Sequence, residues 1–277
     1  MISMSAPSQF FHHAVTLLLL ACTLQISASA ATVQKIMQRG KLVVGVSYVV
    51  PQYVAGAKYR TPESFDHTVA EDLAKQLGVH LVTVKVTAQN RLQMLAQGKV
   101  DLLLLDLTEA DADILRVNAS LLPTAYQASP KLIMRNDTDI KRLAQLKGRS
   151  ICMAQGSRYI GAMGKNYAAV EKIYKAPADA LLALRTGGCD AAMHDDAVLN
   201  GMLALPEWKK FSASLPLSAS AARLTFVLRP KDGELASYLQ RLNQEWSRGS
   251  YWADNQKTWI NDVAFEVYLD QNVPDCH

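Results

Sequence analysis

Several residues of this chain could hold a small charged molecule, and they stand at the ends of apolar runs. Val100-Asp101-Leu102-Leu103-Leu104-Leu105 runs into Asp106, with Thr108 two residues on. Cys189-Asp190-Ala191-Ala192-Met193 runs into His194-Asp195-Asp196. A carboxylate at a strand end either meets a ligand or caps the helix that follows. Asp106 and Asp195 are each open to both readings, and Asp196 could equally supply the second cap. Gln155-Gly156-Ser157-Arg158 precedes a helix N-terminus, where free backbone N–H groups and the dipole suit an anion. Arg158 either joins such a site or is solvated. Tyr48 and Tyr53 follow the first apolar run, with Val50 between them. They either stack on a ligand or pack at the mouth of a lobe.

Other chemistries find little support. His194-Asp195-Asp196 cannot all point at one metal ion from a strand end, and Cys276-His277 is a weak pair. No Ser-His-Asp or Cys-His constellation has a nucleophile context. There is no glycine-rich phosphate loop. Net charge is +4, with no run of four or more Lys/Arg, so nucleic-acid binding is disfavoured.

The elements that must position these residues alternate between strand and helix, the pattern of α/β lobes with mainly parallel sheets. Leu42–Val46 is the first strand. Phe65–Leu77 has a helical apolar period and ends at Gly78. Val79–Val86 is a strand, Arg91–Ala96 a short helix, and Val100–Leu105 a buried central strand. Ser120–Pro130, with prolines at 123 and 130, reads as a crossover between lobes. A second lobe opens at Gly148–Ala154. It continues through a helix at Ala178–Arg185 and a strand at Asp190–Met193. Ser212–Ala222 is the return crossover and Leu224–Leu228 a strand of the first lobe. Glu234–Trp246 and Ala253–Ile260 are terminal helices. With 277 residues, 49% of them hydrophobic, the chain suffices for one large domain or two ordinary ones.

Residues 14–26 form an apolar stretch shorter than the about 20 residues that span a bilayer. Ala28-Ser29-Ala30 follows as a small-x-small site. Together they read as a signal peptide over residues 1–30, cut after Ala30 or Ala31 and directing the protein to the periplasm. Leu19-Leu20-Ala21-Cys22 is the alternative, a lipoprotein box anchored at Cys22. Export leaves three cysteines in an oxidising compartment, so at least one is free. Cys152 and Cys189 either pair or serve as small buried hydrophobes.

The course of residues 36–262 resembles the bacterial extracellular solute-binding proteins of the polar amino-acid class, family 3. The resemblance rests on Arg39-Gly40-Lys41-Leu42-Val43-Val44-Gly45-Val46, Gly98-Lys99-Val100-Asp101, Lys147-Gly148, Gln155-Gly156-Ser157, Cys189-Asp190-Ala191-Ala192 and Lys257-x-Trp259, in that order. It implies a two-lobed type II periplasmic-binding-protein fold. Lobe 1 would be 31–127 with 221–277, and lobe 2 would be 128–220. It implies ligand contacts at Tyr48, Tyr53, Thr108, Ser157 and Asp195, the last by a D-A-x-x-x-D spacing for an ammonium group. Asp106 and Arg158 depart from the family, which has Gly, Ser or Ala at the first position and Ser or Thr at the second. Both are candidate ligand contacts of this chain's own. The family's carboxylate-clamping arginine falls here on Asp113, with Arg116 the nearest arginine. Acidic residues at 106, 113 and 195 then imply a cationic or amine-bearing solute.

The function expected is a monomeric, non-enzymatic solute-binding protein serving an ABC importer permease, without cofactor, metal or nucleic acid. A binding lobe serving a periplasmic dehydrogenase or sensor is the alternative. A dehydratase-like enzyme on the same scaffold, which also forms a domain of lytic transglycosylases, is a minor one.

Overall fold

The computed structural model describes residues 32–217 and 220–271. The expected signal peptide, Cys22 and Cys276 lie outside the described residues. The chain begins α1 (Thr32–Arg39), β1 (Lys41–Val46), α2 (Phe65–Leu77), β2 (His80–Lys85), α3 (Arg91–Ala96), β3 (Leu102–Leu107), α4 (Glu109–Arg116) and β4 (Ser120–Ala128). It continues with β5 (Pro130–Met134), β6 (Ser150–Ala154), α5 (Ala162–Tyr167), β7 (Val170–Tyr174), α6 (Pro177–Arg185), β8 (Ala191–Asp195), α7 (Asp196–Ala204) and β9 (Ala213–Leu215). It closes with β10 (Ala222–Leu228), α8 (Gly233–Arg248) and α9 (Tyr251–Leu269).

These strands form two sheets, ordered β2-β1-β3-β10-β4 and β7-β6-β8-β5-β9. Each begins with three parallel strands, which helical crossovers make possible. Each then adds antiparallel pairings, β10 on β3 and β4 in one, β5 on β8 and β9 in the other. The result is the expected two-sheet α/β architecture, but the sheets are mixed rather than mainly parallel.

One device recurs in both. The loop entering the central strand ends in an aspartate that accepts an N–H from the neighbouring strand. Asp101 takes the Val43 N–H at 2.7 Å, and Asp190 takes the Ser150 N–H at 2.7 Å. The carboxylates thereby set where β1 and β3, and β6 and β8, align. The family-like Gly-x-x-Asp stretch is thus a register pin.

Two expectations need correction. Ser120–Pro130 is mostly strand rather than crossover, because Ser120–Ala128 is a nine-residue strand and Ser129 alone passes to the second sheet. Its proline is tolerated because β4 is an edge strand, with a register shift against β10 between Arg223 and Thr225. The chain actually passes between sheets at Ser129. There the Ser129 N–H donates to Asp196 Oδ1 at 2.8 Å, and the Asp196 N–H to the Ser129 carbonyl at 2.8 Å.

The second correction concerns 221–277, expected to lie wholly in lobe 1. α8 does pack against β4, but α9 seats against α6 and α7 beside the second sheet. Its buried face is Trp252, Trp259, Val263 and Val267. Gly201 of α7 permits the approach, since a Cβ there would meet Ile260 Cδ1 at 2.3 Å. The polar side of α9 grips the first lobe's loop: Glu266 accepts from the Thr61 N–H and hydroxyl, and Trp259 Nε1 donates to the Pro62 carbonyl at 2.9 Å. One continuous set of buried side chains therefore runs from Leu42 and Phe226 through Trp252 and Trp259 to Ile133 and Ala192.

Cys152 and Cys189 form a disulfide, with Cα atoms 5.8 Å apart and a sequence separation of 37. It joins β6 to the entry of β8. On the loop-entropy account, removing such a crosslink costs about 3–4 kcal/mol. Replacing both cysteines by serine should lower the stability of the purified protein by that order in chemical denaturation. An unchanged midpoint would mean that packing alone holds β6 to β8.

Candidate functional site

The carboxyl ends of β1, β2, β3, β6 and β8 converge on a cavity of about 420 Å³. This is where open α/β sheets commonly bind ligands. The first sheet contributes Ser47, Tyr48 and Val50 after β1, Glu63, Ser64 and Asp66 at the entry to α2, Lys85 ending β2, and Asp106 near the end of β3. The second contributes Gly156, Ser157, Arg158 and Tyr159 after β6, with His194 and Asp195 ending β8.

Asp195 is the hub. Its Oδ1 accepts from Arg158 Nε at 3.2 Å and Nη2 at 2.9 Å, and from the Tyr159 hydroxyl at 2.5 Å. Its Oδ2 accepts from the Tyr126 hydroxyl at 2.8 Å. Burial alone would raise the Asp195 carboxyl, but the neighbouring His194, then Arg158 and the two hydroxyls, outweigh it and hold it below the usual range. Although Asp195 begins α7, its side chain makes no cap bond. The cleft takes it instead. Arg158 is neither solvated nor free to clamp an anion by its Nη2, which also donates to the Ala128 carbonyl at 2.8 Å.

Beside it lies a buried pair that crosses between the sheets. His194 Nε2 is 3.2 Å from Glu63 Oε2 and 3.1 Å from the Glu63 carbonyl. The Asp195 N–H donates to Nδ1 at 2.7 Å, so the ring proton sits on Nε2, facing Glu63. Burial pushes the Glu63 carboxyl up, opposed by His194. Asp66 is also raised by burial, against bonds from the Ser64 hydroxyl and the His67 N–H.

Asp106 differs from these. Among the described residues it has no hydrogen-bond or ion-pair partner, although it lines the cavity. Burial, and then the nearby Asp195 charge, push its carboxyl up to about 7, against Arg158. It is not a cap, because Thr108 caps α4.

The walls close tightly. Gly156 holds φ +91°, and a Cβ there would meet the Tyr48 ring at 2.7 Å. The Tyr48 hydroxyl donates to Gln155 Oε1 at 3.2 Å.

The structure thus brings together Tyr48, Asp106, Ser157, Arg158 and Asp195. It does not bring Tyr53, Thr108 or Asp113. Tyr53 is 64% exposed. The Thr108 hydroxyl donates to Asp111 at 2.6 Å in a capping box. α4 buries Ala112 and Leu115, which turns Asp113 outward to pair with Arg116. Sequence reasoning missed Glu63, Ser64, Asp66, Lys85, Tyr126 and Tyr159. Ser64-Phe65-Asp66 was a readable signal, since serine before an apolar helical period marks an N-cap.

Comparison with known proteins shows what the chain as a whole is similar to. The glutamine-binding protein of Geobacillus stearothermophilus is 30% identical over 184 residues, 64% of this chain and 70% of that one. The membrane-bound lytic murein transglycosylase F of Aeromonas hydrophila is 29% identical over 201 residues, 67% of this chain but 38% of the enzyme. Among solved structures, an ancestral cationic amino acid solute-binding protein shares the fold at 20% identity and a TM-score of 0.58, covering 83% of this chain and 100% of that one. A mutant of ArgBP from T. maritima does so at 21% identity and 0.55, covering 83% and 99%. The profile of the bacterial extracellular solute-binding proteins, family 3, matches residues 42–262. The chain belongs to that family.

Proposed function

We propose that this chain is an exported, non-enzymatic binding protein that closes on a small polar, amine-bearing or cationic solute and delivers it to an ABC importer. The observation that carries the reading is Asp106, a carboxylate without a partner in a cleft where every other acid has one. Asp106 is half-buried, and a carboxylate left without a partner in a closing cleft is costly, which a cation relieves. The glutamine-binding relative supports a solute of amino-acid size. We take residues 31–127 with β10 and α8 as one moving lobe and 128–220 as the other, with α9 braced across both. Export rests on the signal-like residues 1–30 and on the extracellular character of the family.

A second reading has its own support. Tyr59 and, on the outer side of α9, Phe265, Tyr268 and Leu269 are 59–72% exposed. Such apolar surface suits a periplasmic partner protein. Neighbouring genes for an importer permease and ATPase favour transport, and a dehydrogenase or receptor gene favours the partner.

Cleft closure is read by scattering. Ligand should make the protein more compact in small-angle X-ray measurements, because solute contacts to both lobes favour the closed form. An unchanged radius at saturating ligand would argue against closure.

Asp106 also sets a pH dependence. A cation needs the carboxylate form, and the free cleft holds this proton up to about pH 7. Affinity should therefore be flat above that point and fall as pH drops through it, by about tenfold per unit at the limit. Isothermal titration across neutrality reads this. A flat profile below pH 7 would remove Asp106 from the binding contacts.

A further inference from the structure

We infer that the solute is a primary amine or guanidine with no carboxylate beside its cation, and that Arg158 is the specificity-determining residue that excludes α-amino acids. The inference rests on the solute-binding reading above. It concerns which acceptor meets the cation and what else the cleft can tolerate.

Consider first where a cation can dock. Asp195 is closed to it. One oxygen holds two Arg158 nitrogens and the Tyr159 hydroxyl, and the other holds the Tyr126 hydroxyl. Arg158 itself occupies the place that an incoming ammonium would need. Its anchorage to the Ala128 carbonyl keeps it there. Glu63 is engaged with His194, and Asp66 accepts from the Ser64 hydroxyl and the His67 N–H. Asp106 is left as the acceptor, facing the cavity without a partner.

Consider next what a carboxylate on the same carbon would meet. It would lie within a bond or two of Asp106, in a cleft that also contains Asp66, Glu63 and Asp195. The cationic groups lining the cavity are Arg158, Lys85 and His194, and His194 is engaged with Glu63. Arg158 is committed through Nε and Nη2 to Asp195, the Tyr159 hydroxyl and the Ala128 carbonyl. Lys85 is exposed and ends β2, which stands two strands from β3 in the sheet. At the ordinary strand spacing that is about 10 Å from the line of Asp106. An α-carboxylate is therefore repelled, and nothing close to it repays its desolvation. The tyrosine rings at positions 48 and 159 line the rest of the cavity, and suit the aliphatic body of such a cation.

Matched pairs test this directly. Isoamylamine against leucine, phenethylamine against phenylalanine, and tyramine against tyrosine differ only by the α-carboxylate and carry no second cation. Isothermal titration of the wild-type protein should show the decarboxylated member binding at least about tenfold tighter in any pair that binds. Asp106→Asn should weaken that amine by roughly ten- to a hundredfold. It should also unfold no earlier than wild type on heating above neutral pH, because an unpaired charge has been removed. Asp106→Ser serves if the asparagine variant does not fold. An amino acid binding as tightly as its amine would overturn the inference and leave the solute-binding reading standing. So would full amine affinity in Asp106→Asn. If no member of any pair binds, the inference fails. If a wider panel of sugars, carboxylates and neutral amides also gives no heat, the solute-binding reading fails with it.

Discussion

The structure turns on one buried carboxylate. Asp195 ends β8, and its two oxygens are reached from both sheets, by Tyr126 of β4 and by Arg158 and Tyr159 after β6. Withdrawing a carboxylate from water costs several kcal/mol, and only a full set of donors offsets it. Four donor bonds converge here, so the positions of those side chains are not independent. Arg158 extends the constraint to the Ala128 carbonyl, one residue before the chain passes between sheets at Ser129. Ser129 is in turn bonded twice to Asp196, the residue after the hub. The passage between sheets and the floor of the cleft are thus one hydrogen-bonded unit.

That unit explains how the other acids are arranged. Each is compensated by a different device: Glu63 by a histidine from the opposite sheet, and Asp66 by a capping serine and a helix N–H. The register pins Asp101 and Asp190 lie at the other ends of the strands and take backbone donors. Asp106 is raised by burial and by the Asp195 charge. The exception follows from its neighbours. Arg158, the nearest strong cation, is already committed, so the carboxylate at the end of β3 has no protein group to turn to.

Much of this was legible in the sequence, and the failures have physical causes. Asp106, Arg158 and Asp195 could be placed because each ends or follows a fully apolar run, and a strand buried on both faces leaves little doubt where its end lies. Glu63 and Asp66 were not legible, because the loop of residues 47–64 reaches the cleft only by folding back, with Glu63 finding His194 across 131 residues. Tyr126 was hidden by the prolines around it, which read as a crossover until the edge position of β4 was known. Asp113 was misplaced because family spacing was carried onto a helix whose own pattern disagrees. Burying Ala112 and Leu115 forces Asp113 outward. α9 was assigned to the wrong neighbour because its apolar face, read alone, does not say which layer it covers. Gly201 favours the α7 side, because without a Cβ it leaves room for the Ile260 side chain.

These contacts also set the balance of the cleft. Tyr48 to Gln155, Glu63 to His194, Tyr126 to Asp195 and Arg60 to Asp179 all join the two sides. On the proposed reading of a cleft that closes, opening would break them, so each would favour the closed arrangement with or without a solute. Asp106 acts in the opposite sense, since closing removes water from a charge that no residue compensates. A ligand can shift a conformational equilibrium only by its differential affinity for the two states. A cation at Asp106 has such a difference by construction. In an open cleft it replaces water at an already solvated carboxylate. In a closed one it replaces nothing but an unmet charge. On the proposed reading, the residue that opposes closure in the empty protein is therefore the one through which a bound cation would favour it most.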